Sequence, residues 1–164
     1  MARLVIPRKS TMPGVFPARA FAVAFSRDDA AGTAKTGADA ARVLVVEDNY
    51  LVAAEIESAL GTAGFDVIGV ANSADEALEL AAAERPLLAV MDIRLNGRRD
   101  GIDTALELFA AHGIRCIFAT AHQTADARGR ATPAKPIAWL PKPYTMPTLV
   151  AVVRQAVEEL RREP

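Results

Sequence analysis

From residue 43 onward, short apolar runs alternate with stretches whose apolar residues recur at helical spacing. The runs occupy residues 43–46, 67–70, 87–91, 114–119 and 137–140. Near-continuous apolar runs of this kind suit strands of a parallel sheet covered on both faces, where neither side of the strand meets water. Between them, residues 50–63 carry Leu51, Ile56 and Leu60 on a helical pattern that stops at Gly64. Ser73-Ala74-Asp75-Glu76 forms a capping box. It opens a second helix that runs to about residue 84, ahead of Pro86. Residues 102–111 predict a third helix closed by Gly113. Residues 148–162 predict a last one, with Leu149, Val152, Val153, Ala156, Val157 and Leu160 on one stripe. Its end carries Arg161 and Arg162, where cations suit the helix dipole. Between the fourth and fifth strands, residues 123–130 allow about two turns, and Gly129, Pro133 and Pro136 forbid more. The fourth helix is therefore expected to be short or irregular.

The resulting order, βαβαβαβαβα, predicts an α/β fold: a doubly wound five-stranded parallel sheet with helices on both faces and right-handed crossovers. Ligands of such sheets bind outside the carboxyl ends of the strands, which selects the residues to examine.

The composition changes the picture at the N-terminus. Residues 1–27 hold Arg3, Arg8, Lys9, Arg19 and Arg27 and no acid, whereas residues 41–164 hold 13 Lys/Arg against 17 Asp/Glu. Pro7, Pro13 and Pro17 and the small residues from Ala30 to Ala40 mark residues 1–40 as a poorly ordered basic and Ala-rich extension, leaving 41–164 as the folded domain. The longest apolar run of the extension, Ala20 to Phe25, is shorter than the roughly 7–15 residues of a secretory signal. The five scattered cations are a poor nucleic-acid footprint. No apolar run approaches the roughly 18 residues of a membrane span. The single cysteine, Cys116, rules out an intramolecular disulfide and fits a cytoplasmic location.

Chemistry gathers at the predicted strand ends. Glu47 and Asp48 follow the first strand and Asp92 the third. Carboxylates brought together repel one another, so the cluster calls for a cation. Hard oxygen donors with no neighbouring His or Cys favour Mg²⁺ over zinc. Mg²⁺ needs only one or two carboxylates, which leaves Asp92 an oxygen free to act as a nucleophile. Thr120 ends the fourth strand and Lys142 follows the fifth. A hydroxyl and an ammonium suit the oxygens of a phosphoryl group, whose transfer depends on positioning and charge neutralisation. Pro143 is a cis-peptide candidate.

Glu47-Asp48, Asp92, Thr120 and Lys142-Pro143, in this order and each at the end of its strand, resemble the signature of response regulator receiver domains over about residues 42–162. The segments 92–97 and 139–143 resemble single-domain receivers of alphaproteobacteria. The resemblance implies a CheY-like sheet of order 2-1-3-4-5. It makes Asp92 the phosphoacceptor of a two-component system. It assigns Mg²⁺ to Asp48, Asp92 and the backbone carbonyl of Arg94 directly, and to Glu47 through water. Lys142, Thr120 and the Ala121 amide would contact the phosphoryl oxygens. Thr120 and Trp139 would form the switch, although Trp139 stands where the family usually has Tyr or Phe. Arg94 and His122 flank the path of attacking water and are expected to tune dephosphorylation. The implied partners are a sensor histidine kinase or histidine phosphotransfer protein and an output protein. A phosphorylation-dependent homodimer is also implied, against which the short fourth helix counts.

The chain runs out just past the last helix, so output is expected by protein contact or by acting as a phosphate shuttle or sink. The domain is expected to catalyse only its own phosphorylation and dephosphorylation. A phosphatase with an aspartate nucleophile would carry a second acid two residues on, where this chain has Arg94. The remaining alternative is a phosphate-independent interaction module. Arg94, Arg98 and Arg99 read as a basic cluster beside the site, with a solvated loop as its plain explanation.

Overall fold

The structure is a computed structural model that describes residues 40–163. The expected disorder of the extension falls, apart from Ala40, outside the described residues. Five strands, β1 (Arg42–Val46), β2 (Asp66–Ala71), β3 (Leu88–Met91), β4 (Arg115–Thr120) and β5 (Ala138–Pro141), form one sheet of order β2-β1-β3-β4-β5. All four pairings are parallel. The helices are α1 (Tyr50–Thr62), α2 (Ala74–Glu84), α3 (Gly101–His112), α4 (Ala125–Ala131) and α5 (Met146–Arg162).

Alternation along each strand divides the core in two. Leu44, Val46, Ala89, Met91, Cys116 and Phe118 face the layer that holds α2, α3 and α4. Val43, Val45, Leu88, Val90, Ile117 and Ala119 face the layer of α1 and α5. The central strands are thus buried on both sides, which is why they read as unbroken apolar runs. Strand bounds differ by about a residue from the apolar runs: β1 and β2 extend past them, while β3, β4 and β5 begin one residue later. Arg42 lies opposite Asp66 in the ladder and pairs with it at 3.5 Å.

Each helix has a side-chain cap. Asn49 accepts from the Leu51 and Val52 amides, Ser73 from Glu76, Asp100 from Asp103, Thr124 from Ala127 and Thr145 from Thr148. Such caps contribute about 1 kcal/mol apiece. Glu76 reaches back to the Asn72 amide at 2.9 Å, completing a reciprocal box at the start of α2. Arg85 closes α2 in the left-handed region at φ 47°, and Pro86 after it cannot continue the helix. The fourth helix is short, seven residues followed by a 3-10 turn at Thr132–Ala134. The last helix starts earlier than its apolar stripe suggests. Thr145 caps it and Pro147 occupies its first turn, where proline needs no amide partner.

Candidate functional site

The parallel registers bring four strand ends to one edge of the sheet. Val46 lies opposite Met91, and the Asp92 amide donates to the Val46 carbonyl at 2.9 Å, so Glu47 and Asp92 leave adjacent strands side by side. Thr120 lies opposite Pro141, and the Lys142 amide donates to the Thr120 carbonyl at 3.1 Å. Residues far apart in sequence become neighbours through backbone pairing alone.

Their side chains then meet. Lys142 Nζ donates to Glu47 Oε2 at 2.7 Å and to Asp92 Oδ2 at 2.6 Å. The two acids are well buried, with side-chain exposures of 4% and 12% against 25% for the lysine. Burial alone pulls the ammonium toward neutrality. The hydrogen bonds and charges of Asp92 and Glu47 outweigh it and hold Lys142 above the ordinary lysine value. The second oxygens are also engaged: Glu47 Oε1 accepts from the Asn49 amide at 3.1 Å, and Asp92 Oδ1 from the Arg94 amide at 3.3 Å. Asp48 is half-buried and makes no hydrogen bond or ion pair among the described residues. The buried Thr120 accepts from the His122 amide through Oγ1 at 3.1 Å, which leaves its hydroxyl proton free to donate. Ala121 is exposed and His122 half-buried. The Lys142–Pro143 peptide is cis.

Glu47, Asp48 and Asp92 form a hard-oxygen donor set. Among the described residues no three His, Cys, Asp or Glu side chains are already arranged around one point. The carboxylate oxygens of Glu47, Asp48 and Asp92 are the donor type that Mg²⁺ takes, usually one or two at a time with water besides.

Other residues take places that local sequence did not indicate. Trp139 pairs with Phe118 across β4 and β5, stacks on it with ring centroids 4.6 Å apart, and lies under the Arg128 guanidinium at 4.8 Å. Arg128 also donates to Gln123 Oε1 at 2.8 Å. The basic cluster is smaller than expected: Arg99 ion-pairs with Asp75 of α2 and Glu107 of α3, leaving Arg94 and Arg98 exposed. Arg130 of α4 grips Asp100 at 2.9 Å and Asp103 at 3.1 Å. Asp100-Gly101 ahead of an apolar helix is a readable cap signal. Nothing in the local sequence pairs it with Arg130. No helix among the described residues is long and apolar enough to cross a membrane.

The comparisons with known proteins agree with this geometry. A family model described as the response regulator receiver domain matches residues 43–154. Transcriptional regulatory protein PdtaR of Mycobacterium tuberculosis (strain H37Rv) is 36% identical over 129 residues, spanning 77% of this chain and 62% of PdtaR. Phyllosphere-induced regulator PhyR of Methylorubrum extorquens (strain AM1) is 34% identical over 131 residues, spanning 79% of this chain and 48% of PhyR. The chain thus matches only part of each relative's length. Among solved structures, the signal receiver domain of a modulated diguanylate cyclase from Desulfovibrio desulfuricans G20 is 36% identical with a TM-score of 0.71, covering 77% of this chain and 100% of that one. A CheY-like receiver from Methanospirillum hungatei JF-1, 22% identical with a TM-score of 0.71 over 76% of this chain and 99% of its own, shares the fold. Domains of this kind work in response regulator signalling, generally bind Mg²⁺ for phosphorylation, and interact with histidine kinases or phosphotransfer proteins. By its sheet order, its matched residues and its relatives, the chain belongs to the response regulator receiver domain family.

Proposed function

We propose that Asp92 accepts a phosphoryl group from a histidine kinase or histidine phosphotransfer protein, and that the chain then signals through protein contacts or passes the group on. The observation that carries this reading is the Lys142 ammonium held between Glu47 and Asp92 at the carboxyl edge of the sheet. It marks a crevice with carboxylates in excess over one lysine, at the edge where ligands of doubly wound sheets bind.

The chemistry follows from the positions. A carboxylate oxygen of Asp92 attacks the phosphorus of the donor's phosphohistidine. A P–O bond forms as the P–N bond breaks, and the electron pair leaves with the imidazole, which takes a proton from solvent. Mg²⁺, when bound through Asp48, Asp92 and the Arg94 carbonyl, with Glu47 acting through water, supplies charge neutralisation for the oxygens in transfer. Lys142 moves its hydrogen bond from the Asp92 carboxylate to a phosphoryl oxygen. Thr120, with its proton free, and the Ala121 amide donate to the others. Trp139, opposite Phe118 and so two residues back from Thr120 along the β4–β5 ladder, carries the change toward α4. Arg94 and His122 set the lifetime of the aspartyl phosphate by shielding it from water.

Intact mass after incubation with Mg²⁺ and acetyl phosphate tests the reading. One phosphoryl adduct in the wild-type chain is expected, with none in Asp92→Ala and none without Mg²⁺. A wild-type chain left unlabelled where a known receiver is labelled, and also unlabelled by its kinase, would show a phosphate-independent module instead.

A further inference from the structure

Resting on Asp92 as phosphoacceptor, we infer that Gly101, nine residues on at the start of α3, is a positioning residue for that aspartate. The contact is of backbone against backbone. A Cβ added at Gly101 would lie 1.9 Å from the Asp92 carbonyl oxygen and 2.9 Å from both the Asp92 carbonyl carbon and Ile93 Cα. No side chain can swing away to relieve this, so any residue larger than glycine must move the main chain that carries Asp92. The Gly101 amide also donates to the Ile93 carbonyl at 2.7 Å, which ties the helix start to the residue after the phosphoacceptor.

The seat is fixed from the other side as well. Asp100 caps α3 through the Asp103 amide at 2.9 Å, accepts from Thr104 Oγ1 through its own carbonyl at 2.8 Å, and is gripped by Arg130. The main chain of Asp92 is therefore pressed between β1, which takes its amide, and α3, which abuts its carbonyl. Its carboxylate meets Lys142 at 2.6 Å, a distance that a shift of the Asp92 backbone would change directly.

The glycine is not needed for its dihedral freedom, since only Gly64, Gly97 and Gly113 among the described glycines have positive φ. That supplies a control. Gly113→Ala strains the other end of α3 without touching Asp92.

The experiment is the rate of Asp92 labelling by acetyl phosphate with Mg²⁺, followed by intact mass well below each variant's melting temperature. Gly101→Ala is expected to slow labelling on the order of tenfold to a hundredfold, the cost of displacing a reacting group by about an ångström. Gly113→Ala is expected to melt earlier and label at the wild-type rate. Asp100→Ala, which loosens the seat from the exposed side, is expected to slow labelling several-fold. Wild-type labelling in a folded Gly101→Ala chain overturns the inference. So does wild-type labelling in Asp100→Ala if Gly101→Ala does not fold, because the glycine then serves the fold alone. A wild-type chain that is itself unlabelled strikes the phosphoacceptor reading instead, so the two failures are distinct.

Discussion

Lys142→Met keeps most of the lysine stem and deletes its charge, which isolates what the ammonium does in the resting crevice. Two carboxylates, exposed by only 4% and 12%, would then face one another with no cation between them. Removing one partner of a buried ion pair costs about 3–5 kcal/mol. Lys142 keeps 25% exposure, so water screens part of the charge left behind, and we expect a loss of about 2 kcal/mol. In a domain of this size that lowers the melting temperature by about 5–10 °C. The pH profile has a definite sign. Lys142 titrates above its ordinary 10.5 in the fold, so its contribution is fully present below that value and is lost as pH rises through the folded pKa. The gap between the two proteins should be level across the neutral range and close only in strong alkali. Millimolar Mg²⁺ should narrow it at neutral pH, since the cation replaces the missing charge. Urea unfolding followed by the fluorescence of Trp139, the one tryptophan of the chain, measures all three. A gap that ignores Mg²⁺, or that is already gone at about pH 9, would refute the electrostatic account and assign the loss to stem packing.

Three further outcomes follow from side chains away from the crevice. Burial pushes the Cys116 thiol up to about 12, so it should resist a thiol reagent at pH 8 in the folded protein and react only on unfolding; rapid labelling of folded protein would contradict its place in the core. The Tyr144 hydroxyl is buried with no hydrogen-bond partner among the described residues, so Tyr144→Phe should be neutral or raise stability by up to about 1 kcal/mol in urea unfolding, and a loss larger than that would mean the hydroxyl is satisfied. Arg128→Ala removes the cation over Trp139, which should shift its emission to longer wavelength and cost about 0.5–1 kcal/mol; an unchanged spectrum would show that the stacking on Phe118 alone sets the indole environment.

The alternation of apolar runs and helical stripes was enough to predict the layers, because a strand buried on both faces and a helix buried on one have different periods. Glu47, Asp92, Thr120 and Lys142 were legible as a set for the same reason: strand ends in a parallel sheet share an edge. What local sequence could not show was which charges find each other across elements. Arg99 stands beside Arg98 and reads as part of one basic cluster, yet it spans α2 and α3 to reach Asp75 and Glu107. Arg130 has Asp126 four residues before it in its own short helix, yet its ion-pair partners are Asp100 and Asp103 at the start of α3. Gly101 reads as a residue after a cap, and only the approach of the Asp92 carbonyl shows why a side chain is excluded there.

The acidic pair shows how one strand end yields two kinds of carboxylate. Glu47 and Asp48 follow the end of β1 at adjacent positions yet differ in burial. Glu47 is buried, and both of its oxygens are bound, one by Lys142 and one by the Asn49 amide. Asp48 is half-buried and makes no hydrogen bond or ion pair among the described residues. Glu47 thus has both oxygens engaged, while those of Asp48 are open. A carboxylate that must take a metal pays less to do so when no internal partner has to be released first. Under the proposed function this favours Asp48 over Glu47 as a direct ligand, with Glu47 holding Lys142 against Asp92. That division gives Glu47 a role in the resting crevice beyond a water-mediated contact with the metal.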